Sequence, residues 1–186
     1  MSESLRASGN TVHLIDPYGG KIKNFSDEAN AYQCFITQCG HEQLTTLLEK
    51  CVTKIKNDLV IIGFSAGASA AFRVASQTRF SHVKQVIGFY PSQIRHHLNL
   101  IACADVTLFF PQEEPHFEVD DVMSALNEQG KISVYKVQAK HGFMNNLSIN
   151  YHPSIAAQFN QQLQQADYIV NAKRFCQSIQ QIINRL

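Results

Sequence analysis

Short apolar runs rich in β-branched residues alternate along this chain with longer segments of helical period, and that alternation confines it to β-α units around a mostly parallel sheet. The runs are "TVHLID" (11–16), "LVIIGF" (59–64), "VKQVIGFY" (83–90), "DVTLFF" (105–110) and "ISVYKV" (132–137). Between the first two, Leu44, Leu47, Leu48, Cys51 and Ile55 recur at steps of three and four, which places them on one helix face. A second helix is expected after Ser65, with Ala68, Ala71, Phe72 and Ala75 turned inward. A third should follow Asp120 and end at Gly130 in a left-handed cap. Phe175, Ile179, Ile182 and Leu186 repeat at helical spacing, so a last amphipathic helix should pack on one face of the sheet. Pro91, Pro111, Pro115 and Pro153 fall at strand ends or in loops, as this parse requires. With 186 residues and no linker or internal repeat, one domain spanning 1–186 is expected.

Composition narrows the function classes. Apolar residues make up 45% and charged ones 17%, enough to build a buried core. The formal net charge is +1 and the basic residues are scattered among acidic ones, which disfavours a nucleic-acid or membrane-surface partner. Cys34, Cys39, Cys51, Cys103 and Cys176 are odd in number and lack the C-x-x-C spacing of zinc or redox motifs, so they read as reduced thiols. The start, "MSESLRASGN", has no apolar core of signal-peptide length, and no window approaches the roughly 20 apolar residues of a membrane span. A cytoplasmic chain with no cofactor and no metal is expected; a homodimer stays open.

The stretch "LVIIGFSAGASAAF" (59–72) carries the chemistry. A strand that enters Gly-x-Ser-x-Gly and leaves as a helix is the setting of a nucleophile elbow, in which Gly63 and Gly67 let strand and helix approach around a strained turn. The alternative is a glycine-rich turn that binds phosphate or merely packs tightly. A serine hydroxyl needs a base, and the base needs an orienting acid. In α/β-hydrolases these follow in the order serine, acid, histidine. His141, in "VQAKHGFMNN" after the last strand run, is the only one of eight histidines in that order at a strand's carboxyl end. His96 and His97 read as surface residues, His116 lies near the candidate acid, and His13, His41, His82 and His152 have no evident partner. For the acid, "LFFPQEEPHFEVDDV" offers Glu114 first and Glu113 second. Asp120 and Asp121 open a helix and read as structural.

Together "GFSAGA" after an apolar strand, the turn "TLFFPQEEP", "HGFMN" after the last strand and "HLIDPYGG" near the start resemble the dienelactone hydrolase family of α/β-hydrolases, from about residue 5 onward. The resemblance implies an α/β-hydrolase-like three-layer fold, a mostly parallel sheet with helices on both faces. It puts Ser65 in the nucleophile's place, His141 in the base's, and the Ala66 N–H in one half of the oxyanion hole. The family's acid turn usually reads Gly-Glu-x-Asp-Pro; "QEEP" is one residue shorter and lacks the aspartate, which leaves Glu114 as the nearest equivalent. The best-known members use cysteine where this chain has serine, so the dienelactone substrate is not carried over. The family's other oxyanion donor comes from an earlier strand and loop that this sequence lacks, with "SESLRASGN" reading as the last turns of the helix after it. An N-terminally truncated chain is therefore expected, since a central gap would orphan buried backbone groups at about 1–3 kcal/mol each.

The expected activity is serine hydrolysis of a small-molecule ester, thioester or lactone. A non-catalytic hydrolase-like binding module is the alternative, and acyl transfer would use the same residues. Loops 17–30, 91–101 and 142–152 are expected to wall the pocket, with Phe64, Tyr90, Phe117 and Phe143 as candidate apolar lining and Arg95 as a solvated residue or an anion contact.

Overall fold

A computed structural model of the chain describes residues 1–165. Four parallel strands, β1 (Leu59–Phe64), β2 (Val83–Phe89), β3 (Asp105–Phe110) and β4 (Ile132–Lys136), lie side by side in chain order. Among the described residues six α-helices accompany them: α1 (Ser2–Ala7), α2 (Glu28–Gln38), α3 (Gly40–Lys54), α4 (Ala66–Ala75), α5 (Val119–Asn127) and α6 (Pro153–Gln165). The architecture is the mixed α/β fold expected, and four of the predicted strand runs form strands within a residue of their predicted ends.

Strand alternation assigns the two faces of the sheet. Along β3, Val106, Leu108 and Phe110 point to one side, where they meet α3, α4 and α5 through residues such as Leu48, Phe72 and Val122. Phe109 and its neighbours Ile87 and Phe89 on β2 point to the other, where α1 and α6 supply Leu5, Ile155, Phe159 and Leu163. Each of these strands is a near-continuous apolar run because both faces are covered. As expected, α4 turns Ala68, Ala71, Phe72 and Ala75 into the core; small residues there let the helix lie close on the sheet. Phe159 of α6 is 0% exposed and sits with ring centroids 4.8 Å from Phe109, 5.1 Å from Phe89 and 5.9 Å from Phe143. Removing it by Phe159→Ala should cost about 3–5 kcal/mol in a urea unfolding titration, since the cavity would lie among rings that cannot collapse into it.

Several expectations are corrected. Residues 11–16 form no regular element and carry no ladder hydrogen bonds among the described residues, so the predicted first strand is not formed there. Val12 packs with the cluster on the α6 face and Ile15 with the cluster on the α3–α5 face, while Leu14 is exposed. A segment whose side chains serve both faces has strand propensity without a strand partner, and pairing is what makes a strand. Among the described residues β1 is accordingly an edge of the sheet. α2, a helix not named among the sequence expectations, is capped by Asp27, which accepts from the Asn30 N–H at 2.8 Å. α5 ends at Asn127 with Glu128 in the right-handed region, and Gly130 does not take a positive φ, so the left-handed cap is not formed. The helix expected over 175–186 lies outside the described residues. Among the described residues no helix is long and apolar enough to cross a membrane.

Candidate active site

The turn from β1 into α4 holds Ser65 at φ 49° and ψ −118°, a left-handed conformation that a non-glycine residue adopts only where its surroundings impose it. Three contacts do so here. The Ser65 N–H donates to the Phe89 carbonyl at 2.9 Å, and the Ser65 carbonyl accepts from the N–H groups of Ala68 at 3.1 Å and Ser69 at 3.2 Å. The close approach needs Gly63: a Cβ there would stand 2.6 Å from the Ala68 Cα and 2.6 Å from the Gly67 carbonyl oxygen. Gly67 itself faces open space, so its expected share in that approach is not found. The N–H groups of Ala66 and Gly67 open α4 beside Ser65 without a partner among the described residues, and the helix dipole favours negative charge at that end.

His141 reaches Ser65 from the turn after β4. Its Nε2 is 3.0 Å from the Ser65 Oγ, and its Nδ1 is 2.7 Å from the Glu114 Oε1. The proton on Nδ1 faces the carboxylate, which leaves the Nε2 lone pair for the serine hydroxyl; the network assigns this tautomer. The His141 carbonyl accepts from the Asn150 Nδ2 at 3.0 Å. Gly142 follows at φ 89°, and a Cβ there would stand 2.7 Å from the Ser148 Oγ, which accounts for glycine after the histidine.

Of the two acids expected, the structure brings Glu114 to His141 and not Glu113. The Glu114 side chain is 5% exposed, while Glu113 is exposed and stands 3.9 Å from the Lys140 ammonium. Asp120 ion-pairs with Lys136, and Asp121 lies exposed in the first turn of α5. His96, His13 and His116 are exposed. His82 bonds the Val52 carbonyl, and His41 packs against Phe35. Burial holds His41 and His97 below the ordinary histidine range, with Arg73 adding to the effect and Glu42 opposing it.

Two residues gain a place that sequence reasoning did not give them. The Ser92 Oγ donates to the Glu114 Oε1 at 2.7 Å and lies 3.1 Å from the His141 Nδ1. Tyr90, expected to line a pocket, is 3% exposed at φ 41°, and its ring centroid lies 4.8 Å from that of His141. Burial raises the Tyr90 hydroxyl well above its ordinary range, against the lowering effect of the Met144 N–H that it accepts, so it stays neutral. Phe143 is likewise core, whereas Phe64 and Phe117 are half-buried. Arg95 is half-buried: it donates to the Ser92 carbonyl and its guanidinium lies 5.4 Å from the Phe117 ring centroid. A cavity of ≈ 390 Å³ opens beside the site, lined by Glu113, Glu114, Pro115, Lys140, His141 and Asn150. Among the described residues no group of three or more His, Cys, Asp or Glu side chains could hold a metal ion.

A serine on a strained strand-to-helix turn, within hydrogen-bond reach of a histidine that is paired to a buried carboxylate, defines a class of α/β-hydrolase-like proteins. The sequence profile of the dienelactone hydrolase family matches residues 3–166, and the chain belongs to that family. It is 28% identical over 141 residues to the uncharacterised protein YczH of Bacillus subtilis (strain 168), an alignment covering 73% of this chain and 67% of that protein. Family membership supports hydrolase chemistry.

Proposed function

We propose that the chain hydrolyses a small-molecule ester, thioester or lactone with Ser65 as nucleophile, His141 as base and Glu114 as the orienting acid. The observation that carries this reading is the unbroken path from the Ser65 Oγ to the His141 Nε2 at 3.0 Å and from the His141 Nδ1 to the Glu114 Oε1 at 2.7 Å. Ser65 attacks the substrate carbonyl while its proton passes to Nε2. The imidazolium so formed is held by Glu114, and the Ala66 N–H donates to the developing oxyanion. Nε2 then protonates the leaving group, which departs from the acyl-enzyme. Water enters, gives its proton to Nε2 and attacks the acyl carbonyl, and the proton returns to the Ser65 Oγ as the acid leaves. No step draws on a cofactor.

The competing reading, a hydrolase-like binding module, is favoured by one observation: β1, which leads into Ser65, is an unpaired edge strand on its outer side among the described residues. Turnover separates the two. The hydrolase reading expects saturable release of p-nitrophenol from p-nitrophenyl acetate above the buffer rate. No release from this ester, and no cleavage of a simple thioester or lactone, would leave the binding module.

A further inference from the structure

The acid turn "QEEP" places a glutamate, with one more rotatable bond than an aspartate, opposite His141. A longer carboxylate held only by the histidine would sample several rotamers and lose the pairing part of the time. Here its Oε1 receives two donors at once, His141 Nδ1 and Ser92 Oγ, both at 2.7 Å. Ser92 lies on a different segment, the 3-10 turn Ser92–His96 that follows β2 and Pro91.

That segment is itself tied down. The Ser92 N–H donates to the Tyr90 carbonyl at 2.9 Å, and the Ser92 carbonyl accepts from Arg95. Arg95 in turn lies against Phe117, which pairs in an isolated antiparallel bridge with Glu114 itself. The 3-10 turn therefore meets the acid turn at two points: the Ser92 hydroxyl on the carboxylate, and the Arg95 guanidinium over the ring of Phe117, whose backbone bridges to Glu114.

We infer that Ser92 is a positioning residue for the candidate acid, fixing Glu114 in the one rotamer that pairs with His141. The inference rests on the reading of Glu114 as the orienting acid. The Ser92 hydroxyl has a single proton, which it donates to the Glu114 Oε1 at 2.7 Å, so the hydroxyl acts through the carboxylate. Hydrogen bonds to charged groups are the stronger kind, and losing this one should be felt in the step that generates the imidazolium.

The test is a mutant cycle on p-nitrophenyl acetate hydrolysis, with KM, kcat and thermal midpoint measured for each chain. Ser92→Ala should lower kcat by about 10-fold or more with KM little changed. Ser92→Thr, which keeps the hydroxyl, should restore kcat to within about threefold of the original. In a Glu114→Ala background, which removes the acceptor altogether, Ser92→Ala should have no further effect, because the donor would have lost the group it acts through. If Ser92→Ala does not fold, Ser92→Cys, close in shape but a weak donor, is read by the same thresholds. A Ser92→Ala kcat within about threefold of the original while Glu114→Gln loses at least about 100-fold would overturn the role of Ser92 and leave the acid standing. A Glu114→Gln chain of undiminished activity would overturn the acid reading and this inference with it. Equal losses from Ser92→Ala with the glutamate present and in the Glu114→Ala background would overturn the inference by showing that Ser92 acts elsewhere.

Discussion

Ser65→Ala and His141→Gln should each reduce p-nitrophenyl acetate turnover by about 10³-fold or more, to the buffer rate, and the double variant should be no worse than either. The two groups form one proton path, 3.0 Å from the Ser65 Oγ to the His141 Nε2, so removing either end removes the same step. Without the base the hydroxyl keeps its proton at neutral pH, and without the hydroxyl the imidazole has nothing to activate except water. Neither change should unfold the chain. The His141 side chain is 33% exposed, and the left-handed backbone at Ser65 is held by main-chain bonds to Phe89, Ala68 and Ser69 that alanine keeps. Loss of activity with an unchanged thermal midpoint is therefore the expected signature. A chain that lost its cooperative transition along with its activity would say nothing of chemistry.

The second large effect concerns folding. Gly63→Ala should destabilise the chain by at least about 3 kcal/mol, a large part of the roughly 5–15 kcal/mol that holds a typical domain together. The added methyl would stand 2.6 Å from the Ala68 Cα, 2.6 Å from the Gly67 oxygen and 2.7 Å from the Ala68 nitrogen. All three are backbone atoms of α4, so no side chain can turn aside and the helix must lift from β1. Lifting it would also disturb the bonds that hold Ser65. Gly88→Ala makes the useful comparison. Its methyl would meet the tip of Leu108 at 2.7 Å and the Ala68 Cβ at 3.2 Å, and the leucine can turn. A cost of about 1–3 kcal/mol is expected there. Urea unfolding of the two variants side by side reads the difference.

Much of this architecture is written in the sequence because a parallel strand covered on both faces must be apolar almost throughout. Val83–Phe89 and Asp105–Phe110 are legible for that reason. "TVHLID" misleads because alternation records a preference for extended backbone and says nothing of whether a partner edge is present. α2 is hard to see although Asp27 and Asn30 stand at capping spacing, since its residues bury little and give a weak apolar stripe. At the site, Ser65 and His141 are visible from their places at strand ends. The choice of Glu114 over Glu113 depends on which neighbour turns inward, and adjacent residues in an irregular turn carry no periodicity to decide it. Ser92 has no signal at all: a serine after a proline is ordinary turn composition, and its contact with Glu114 spans a separation of 22 residues. Gly67 shows the opposite error, a motif glycine credited with a close approach that Gly63 alone makes.

Whether Ser65 is a nucleophile activated within this constellation is decided by a fluorophosphonate probe followed by mass mapping of the labelled peptide. Stoichiometric labelling confined to Ser65 is expected, lost in Ser65→Ala and slowed to background in His141→Gln. A folded chain that took up no probe, or took it up equally after either substitution, would refute that role.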